Sequence, residues 1–166
     1  TRYRRFFSPL SNLTDPQWRY LTEIDQDDHV AWGIVPLDRP DLIGVGVGRF
    51  ITLEEDPHTA EFALLIRDEM QGEGYGTLLL AVLYWLAKQK GLKKLRGIVQ
   101  PDNLVVQDWT RRLGGHPHLN DEGHYVVDIP LQGEIEDQSS HFFVLLNRLE
   151  RGEVGPPDSE SSEQPA

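Results

Sequence analysis

Seven residues, Gln71-Gly72-Glu73-Gly74-Tyr75-Gly76-Thr77, constrain this chain more than any other segment. They separate a strand-like run, Glu61 to Ile66, from a long apolar run of helical character, Leu78 to Ala87. Glycines at three alternate positions let the backbone turn tightly and bare its N–H groups. A helix starting directly behind the loop adds the positive end of its dipole. Strand, glycine loop and helix in this order are a means of holding a phosphate. The order also implies a strand–helix–strand crossover, which should be right-handed.

The rest of the chain can be laid out around that unit. Tyr3 to Phe7 is basic and aromatic and reads as a first strand. Thr14-Asp15-Pro16 has a capping residue followed by Pro, as at a helix start. Asp25 to His29 is an acidic connector. Val30 to Val35 and Ile43 to Thr52 read as a hairpin around the turn Pro36 to Asp41. Thr59 to Ile66 is the strand before the loop, and the helix behind it is expected from Thr77 to Lys90, with Gly91 as its stop. Lys94 to Gln100 is a further strand, Asn103 to Leu113 an amphipathic helix, and His116 to Asn120 with His124 to Leu131 a closing hairpin. A last helix is expected over Ile135 to Leu149. From Arg151 the chain is rich in Pro, Ser, Gly and Glu without an apolar run, so 1–150 reads as one domain and 151–166 as a disordered acidic tail. A doubly wound sheet would alternate strand and helix throughout. This order predicts an α+β fold: a mixed, mostly antiparallel central sheet with one βαβ unit, flanked by helices.

Composition narrows the function. The formal net charge is −11, from 16 basic and 27 acidic residues, which argues against a nucleic-acid or anionic-membrane surface. The longest apolar run is far short of the ~20 residues of a membrane helix. The chain has no cysteine, so a disulfide framework and a cysteine nucleophile are both excluded. A cytoplasmic location is the default expectation. His116, His118 and His124 lack the carboxylate or cysteine pattern of a metal site, and no metal is expected.

Three phosphate-binding patterns compete for the loop. A nucleotide-triphosphate loop needs Gly-Lys-Ser/Thr, and Gly76 is followed by Thr77 with no lysine. A dinucleotide fingerprint needs G-x-G-x-x-G opening the helix, and neither Gly72 to Gly76 nor Gly44-Val45-Gly46-Val47-Gly48 has that spacing. The third pattern, Q/R-x-x-G-x-G/A, is met by Gln71, Gly74 and Gly76. By it the chain resembles the GNAT superfamily of N-acetyltransferases over roughly residues 30 to 130. The flanking strands, Asn103 at the start of the next helix, and Arg112-Leu113-Gly114-Gly115 all stand at that family's spacing. Within it, Ala60-Glu61-Phe62-Ala63 with Asp68 and Gln71 resembles the bacterial protein lysine acetyltransferases of Pat type, as do Arg5-Phe6-Phe7 and Ile24-Asp25.

The resemblance implies the site. Gln71, Gly72, Glu73, Gly74, Tyr75, Gly76 and Thr77 would hold the pyrophosphate of acetyl-CoA. The backbone of Leu64, Leu65 and Ile66 would run beside the pantetheine arm, and Asn103 would contact the same region or cap its helix. Glu61 matches the general base. Strand alternation sets Glu61 and Ala63 on one face and Phe62 and Leu64 on the other. Glu73 departs from the usual basic residue. Thr110 stands where many relatives carry the tyrosine that protonates the thiolate, with Tyr125 as a distant substitute. Lys88, Lys90, Lys93 and Lys94 are either ligands of the 3′-phosphate or a cationic helix end. Asp25, Asp27, Asp28 and His29 either line the acceptor site or form a solvated connector.

The expected function is therefore transfer of acetyl from acetyl-CoA to a primary amine, a protein lysine ε-amine above all. A small-molecule amine acetyltransferase and a catalytically silent acetyl-CoA-sensing module are the alternatives.

Overall fold

The computed structural model describes residues 24–37, 44–99, 101–121, 123–133, 135 and 137–154. The expected strand at Tyr3 to Phe7, the helix from Thr14 and the tail beyond Val154 lie outside the described residues. Six strands form one sheet: β1 (His29–Ile34), β2 (Gly46–Thr52), β3 (Thr59–Ile66), β4 (Lys94–Ile98), β5 (His116–Leu119) and β6 (Tyr125–Pro130). Their order across the sheet is β1-β2-β3-β4-β6-β5. Among the described residues, only the β3–β4 pair is parallel. The α+β reading with a single βαβ unit holds.

Direct pairing puts opposed residues on one face of a sheet, and successive rows alternate between faces. One row runs Val30, Phe50, Phe62, Gly97, Val127, Pro117. The next runs His29, Ile51, Glu61, Arg96, Asp128, His116. The first row faces the core. The second, mainly polar, belongs to the opposite face.

The core face is covered by α1 (Tyr75–Gln89), the crossover helix. Its buried residues Leu79, Leu80, Leu83, Tyr84 and Ala87 recur at helical spacing, forming one apolar stripe. Each fully buried leucine contributes roughly 1.5–3 kcal/mol. Gly48 lets α1 come close: a Cβ there would stand 2.9 Å from Leu64 and 3.2 Å from Leu83. The glycines of β2 are thus a packing device rather than a nucleotide fingerprint. At its far end α1 stops at Gly91 (φ 75°), whose N–H donates to Lys88 O.

A second helix, α2 (Leu104–Arg112), follows β4. The last, α3 (His141–Glu150), packs on α1. It begins six residues later than the apolar pattern predicts. Ser140 sets the start: its Oγ accepts from Phe143 N–H, and the preceding turn is held by Asp137, which accepts from Ser139. Tyr84 of α1 and Phe142 of α3 meet edge to face at 5.4 Å between ring centroids. His141 lies against Gly74 at the start of α1, and Glu150 bonds Lys88 near its end at 2.9 Å. The two helices therefore run in the same direction, and both begin at the glycine loop.

Candidate functional site

The loop leaves β3 through a short 3-10 turn at Asp68–Met70. Gln71 is extended and locks the turn: its Nε2 donates to Asp68 Oδ1 at 3.0 Å and to Ile66 O at 3.4 Å. Gly72 and Gly74 then take positive φ, 82° and 88°, a region costly for any residue with a Cβ. Gly74 is the N-cap of α1 and has no side chain to satisfy the first-turn donors. Its carbonyl accepts from Leu78 N–H at 3.0 Å, the first bond of the helix. Among the described residues, none accepts from the N–H groups of Gly72 through Thr77. These donors, at the positive end of a helix dipole, form a concave anion site. Gly76 lies inside the helix, and Glu73 is exposed.

Beside the loop the sheet divides. β3 pairs with β4 from Thr59 only as far as Phe62, opposite Gly97. Ala63 to Ile66 continue without a partner on that side, while on the other side β2 pairs them in unbroken register. The fork sits at Gly97: a Cβ there would stand 2.8 Å from the Phe62 ring. A cavity of about 260 Å³ opens in it, lined by Glu61 to Leu64 of β3, Gly97 and Ile98 of β4 with Val99 just beyond, Asn103 at the cap of α2, and Val106 and Trp109 within that helix. Its lining includes four consecutive residues of β3, Glu61 to Leu64, at the edge where the two strands part.

Glu61 is the acidic residue of that lining and is 6% exposed. It stands in the polar row, directly across from Arg96. Arg96 is fixed from its other side by Asp128, with Nε–Oδ1 at 2.7 Å and Nη2–Oδ2 at 2.8 Å. Burial pushes the Asp128 carboxyl up. The hydrogen bonds and charge of Arg96, aided by Lys94 and His118, outweigh burial and hold it below the ordinary carboxylate value. At the sheet's other side burial and Arg49 lower the His29 imidazole, with Asp25 opposing.

The remaining candidates divide clearly. Asn103 both lines the cavity and caps α2, its Oδ1 accepting from Val106 N–H at 3.2 Å. Leu65 is 57% exposed on the unpaired edge, while Leu64 and Ile66 are half-buried. Thr110 is fully buried and its hydroxyl donates to Gln107 O, so it is unavailable as an acid. Tyr125 is not among the residues lining the cavity. Lys88, Lys90 and Lys94 engage Glu150, Asp27 and Asp128. Lys88 and Lys90 stand at the opposite end of α1 from the loop, a helix roughly 22 Å long. The cationic-end reading fits them. Asp25 accepts from the N–H groups of Asp27 and His29 and tightens the turn into β1; these backbone hydrogen bonds lower its pKa. Among the described residues, no group of three His, Asp or Glu is placed to hold a metal ion. Among the same residues, no helix is long and apolar enough to cross a membrane.

Sequence reasoning missed His141. A Cβ on Gly74 would stand 3.5 Å from its Cε1 and 3.7 Å from its Nδ1. The Ser140 cap is a local signal for a helix start, but only tertiary packing brings that start to the loop.

A family model described as an acetyltransferase (GNAT) domain matches residues 1–116. The chain is 28% identical over 146 residues to an acetyltransferase Pat from Mycolicibacterium smegmatis, covering 83% of this chain and 43% of that protein. It thus spans less than half of this relative's length. Among solved structures, the fold is similar to the GNAT domain of S. lividans PAT, with a TM-score of 0.64 at 20% identity, over 78% of this chain and 76% of that one. It is also similar to a paia N-acetyltransferase from Thermoplasma acidophilum in complex with coenzyme A, with a TM-score of 0.52 at 18% identity, over 69% and 66% of the two chains.

Proposed function

The chain belongs to the GNAT acetyltransferase family, and from that premise we propose that it moves an acetyl group from acetyl-CoA to a protein lysine ε-amine. The cavity in the forked sheet supports this reading. It opens where β3 and β4 part, on the strand that leads to the glycine loop, with Glu61 in its lining.

The chain's residues fit the donor. The N–H groups of Gly72 through Thr77 supply hydrogen bonds and positive potential for the pyrophosphate. The unpaired edge at Leu64, Leu65 and Ile66 offers main-chain partners for the amides of the pantetheine arm. Asn103 lines the same channel. The donor supplies the thioester acyl group and the thiolate that leaves.

The acceptor approaches from the polar face. A lysine amine has an ordinary pKa near 10.4 and must lose a proton before it can attack. Glu61 takes that proton, directly or through water. The amine nitrogen bonds to the thioester carbon, the carbon–sulfur bond breaks, and the electron pair leaves on sulfur. A backbone N–H of the unpaired β3 edge polarises the carbonyl. The attacking nitrogen, cationic once bonded to carbon, gives its second proton to solvent water as the carbon–sulfur bond breaks; with Thr110 buried, sulfur leaves as thiolate or takes a proton from water. Direct attack needs no acetyl-enzyme.

Replacing Glu61 with Gln tests the assignment. Loss of a general base should lower kcat by roughly 10²–10⁴ and leave acetyl-CoA affinity nearly unchanged. Equal turnover by wild type and variant across the pH range removes Glu61 from the role. A panel of lysine peptides and small amines tests the acceptor, and turnover confined to small amines overturns the protein-lysine assignment.

A further inference from the structure

The role of His141 goes beyond the donor loop as its motif defines it. Three observations converge on this side chain. It is the first residue of α3, fixed there by the Ser140 cap. Its ring stands against Gly74, the central glycine of the loop, by the contact given above. It is exposed, and among the described residues its ring has no hydrogen-bond partner and no carboxylate within ion-pair distance.

The loop itself lacks what its role calls for. Its one charged side chain is Glu73, which repels a phosphate, and the lysines of α1 that could offset this lie at the far end or are engaged by carboxylates. Gly74 cannot contribute a side chain, because its φ of 88° excludes one at low cost. Beyond the loop's own main-chain N–H groups, a side-chain donor must therefore come from another element, and α3 delivers an imidazole to that place.

We propose that His141 is a donor-binding residue whose imidazole N–H donates to the pyrophosphate of acetyl-CoA, supplying from α3 the contact that Glu73 fails to supply from the loop. This rests on acetyl-CoA being the donor. A hydrogen bond to a charged group is worth roughly 1.5–3 kcal/mol, about a 10- to 100-fold change in affinity. The α1–α3 packing, through Tyr84–Phe142 and Lys88–Glu150, then has a functional as well as a stabilising use, since it sets the ring's distance from the loop.

Calorimetric titration of wild type, His141→Ala and His141→Asn with CoA, dephospho-CoA and S-acetylpantetheine tests this. CoA and dephospho-CoA should each bind His141→Ala about 10- to 100-fold more weakly. His141→Asn, which keeps an N–H near the Nδ1 position, should recover part of that loss. S-acetylpantetheine, which has no pyrophosphate, should bind wild type and His141→Ala alike. In turnover assays the acetyl-CoA KM should rise and kcat stay nearly constant. Unchanged CoA affinity in His141→Ala, or equal weakening of all three ligands, overturns the proposal. An effect seen with CoA but absent with dephospho-CoA overturns it in favour of the 3′-phosphate. Failure of wild type to bind CoA at all sinks the acetyl-CoA reading itself, and this proposal with it.

Discussion

Alanine at Gly74 and alanine at Gly76 should change stability in opposite directions, although the two positions share one loop. Gly74 holds φ 88° and ψ −2°, where a Cβ costs roughly 1–2 kcal/mol. Space is not the obstacle, because the nearest atom to that Cβ is 3.5 Å away, an ordinary contact. Gly76 has a normal helical backbone, and the nearest atom to a Cβ there is Ile66 Cγ1 at 3.9 Å. Alanine is the better helix former by about 0.5–1 kcal/mol. Gly74→Ala should therefore lose about 1–2 kcal/mol and Gly76→Ala gain about 0.5–1, so that they differ by roughly 1.5–3 kcal/mol. For a chain of this size 1 kcal/mol moves Tm by about 2–4 °C, which separates the variants by roughly 3–12 °C. Thermal melts followed by far-ultraviolet circular dichroism, with and without CoA, make the comparison. A ligand at 100 times its Kd adds about 2.7 kcal/mol. Wild type and Gly76→Ala should show that upward shift, and the Q/R-x-x-G-x-G/A signature itself admits alanine at the second position. Gly74→Ala should show little of it, because relaxing φ re-aims the N–H groups behind it. Gly74→Ala melting at or above wild type, or Gly76→Ala proving the less stable of the two, refutes the reasoning.

Asp128→Asn should cost about 1–3 kcal/mol by removing a charged partner of Arg96. Because the Asp128 carboxyl is held below its ordinary value of 3.8 in the folded chain, its contribution is full above that value and is lost as pH falls below it. Urea unfolding below about pH 4 should thus show a steeper loss for wild type than for Asp128→Asn, and parallel curves contradict the assignment. Ser140→Ala should cost roughly 0.5–2 kcal/mol through the lost cap and also weaken CoA binding by loosening His141. A stability loss with unchanged CoA affinity separates the cap from the site.

The parts of the fold legible in the sequence are those written in local chemistry. β3 begins and ends where the residue pattern predicts, between Thr59 and Ile66. Gly91 and Asn103 mark helix ends through their own backbone and side chain. The glycine loop is legible for the same reason, since its spacing and its left-handed glycines are properties of seven consecutive residues. What escaped depends on pairing between distant segments. No local pattern marks the point at which β3 and β4 part, because it is set by Phe62 lying over Gly97, 35 residues apart. Thr110 stands in sequence where relatives carry an acid, but its complete burial is not written in its neighbours. The apolar stripe points to a start of α3 six residues early, because such a stripe shows a helix's face better than its end. Its contact with Gly74 follows from the direction of packing on α1, which periodicity does not encode.

The fork between β3 and β4 also answers a hazard common to all sheets. A row of unsatisfied main-chain groups is a template on which a stray polypeptide can add itself, and chains so extended aggregate. Here the template is four residues long, Ala63 to Ile66, and it is overhung. The Phe62 ring closes its inner end, while Val106 and Trp109 roof the core-facing side. An incoming peptide would need room for alternate side chains on both faces of the sheet, and that roof denies it one of them. On the proposed reading the guest this edge takes is the slender, amide-bearing pantetheine arm, while the roof keeps the same edge from serving a peptide as a nucleus for fibre growth.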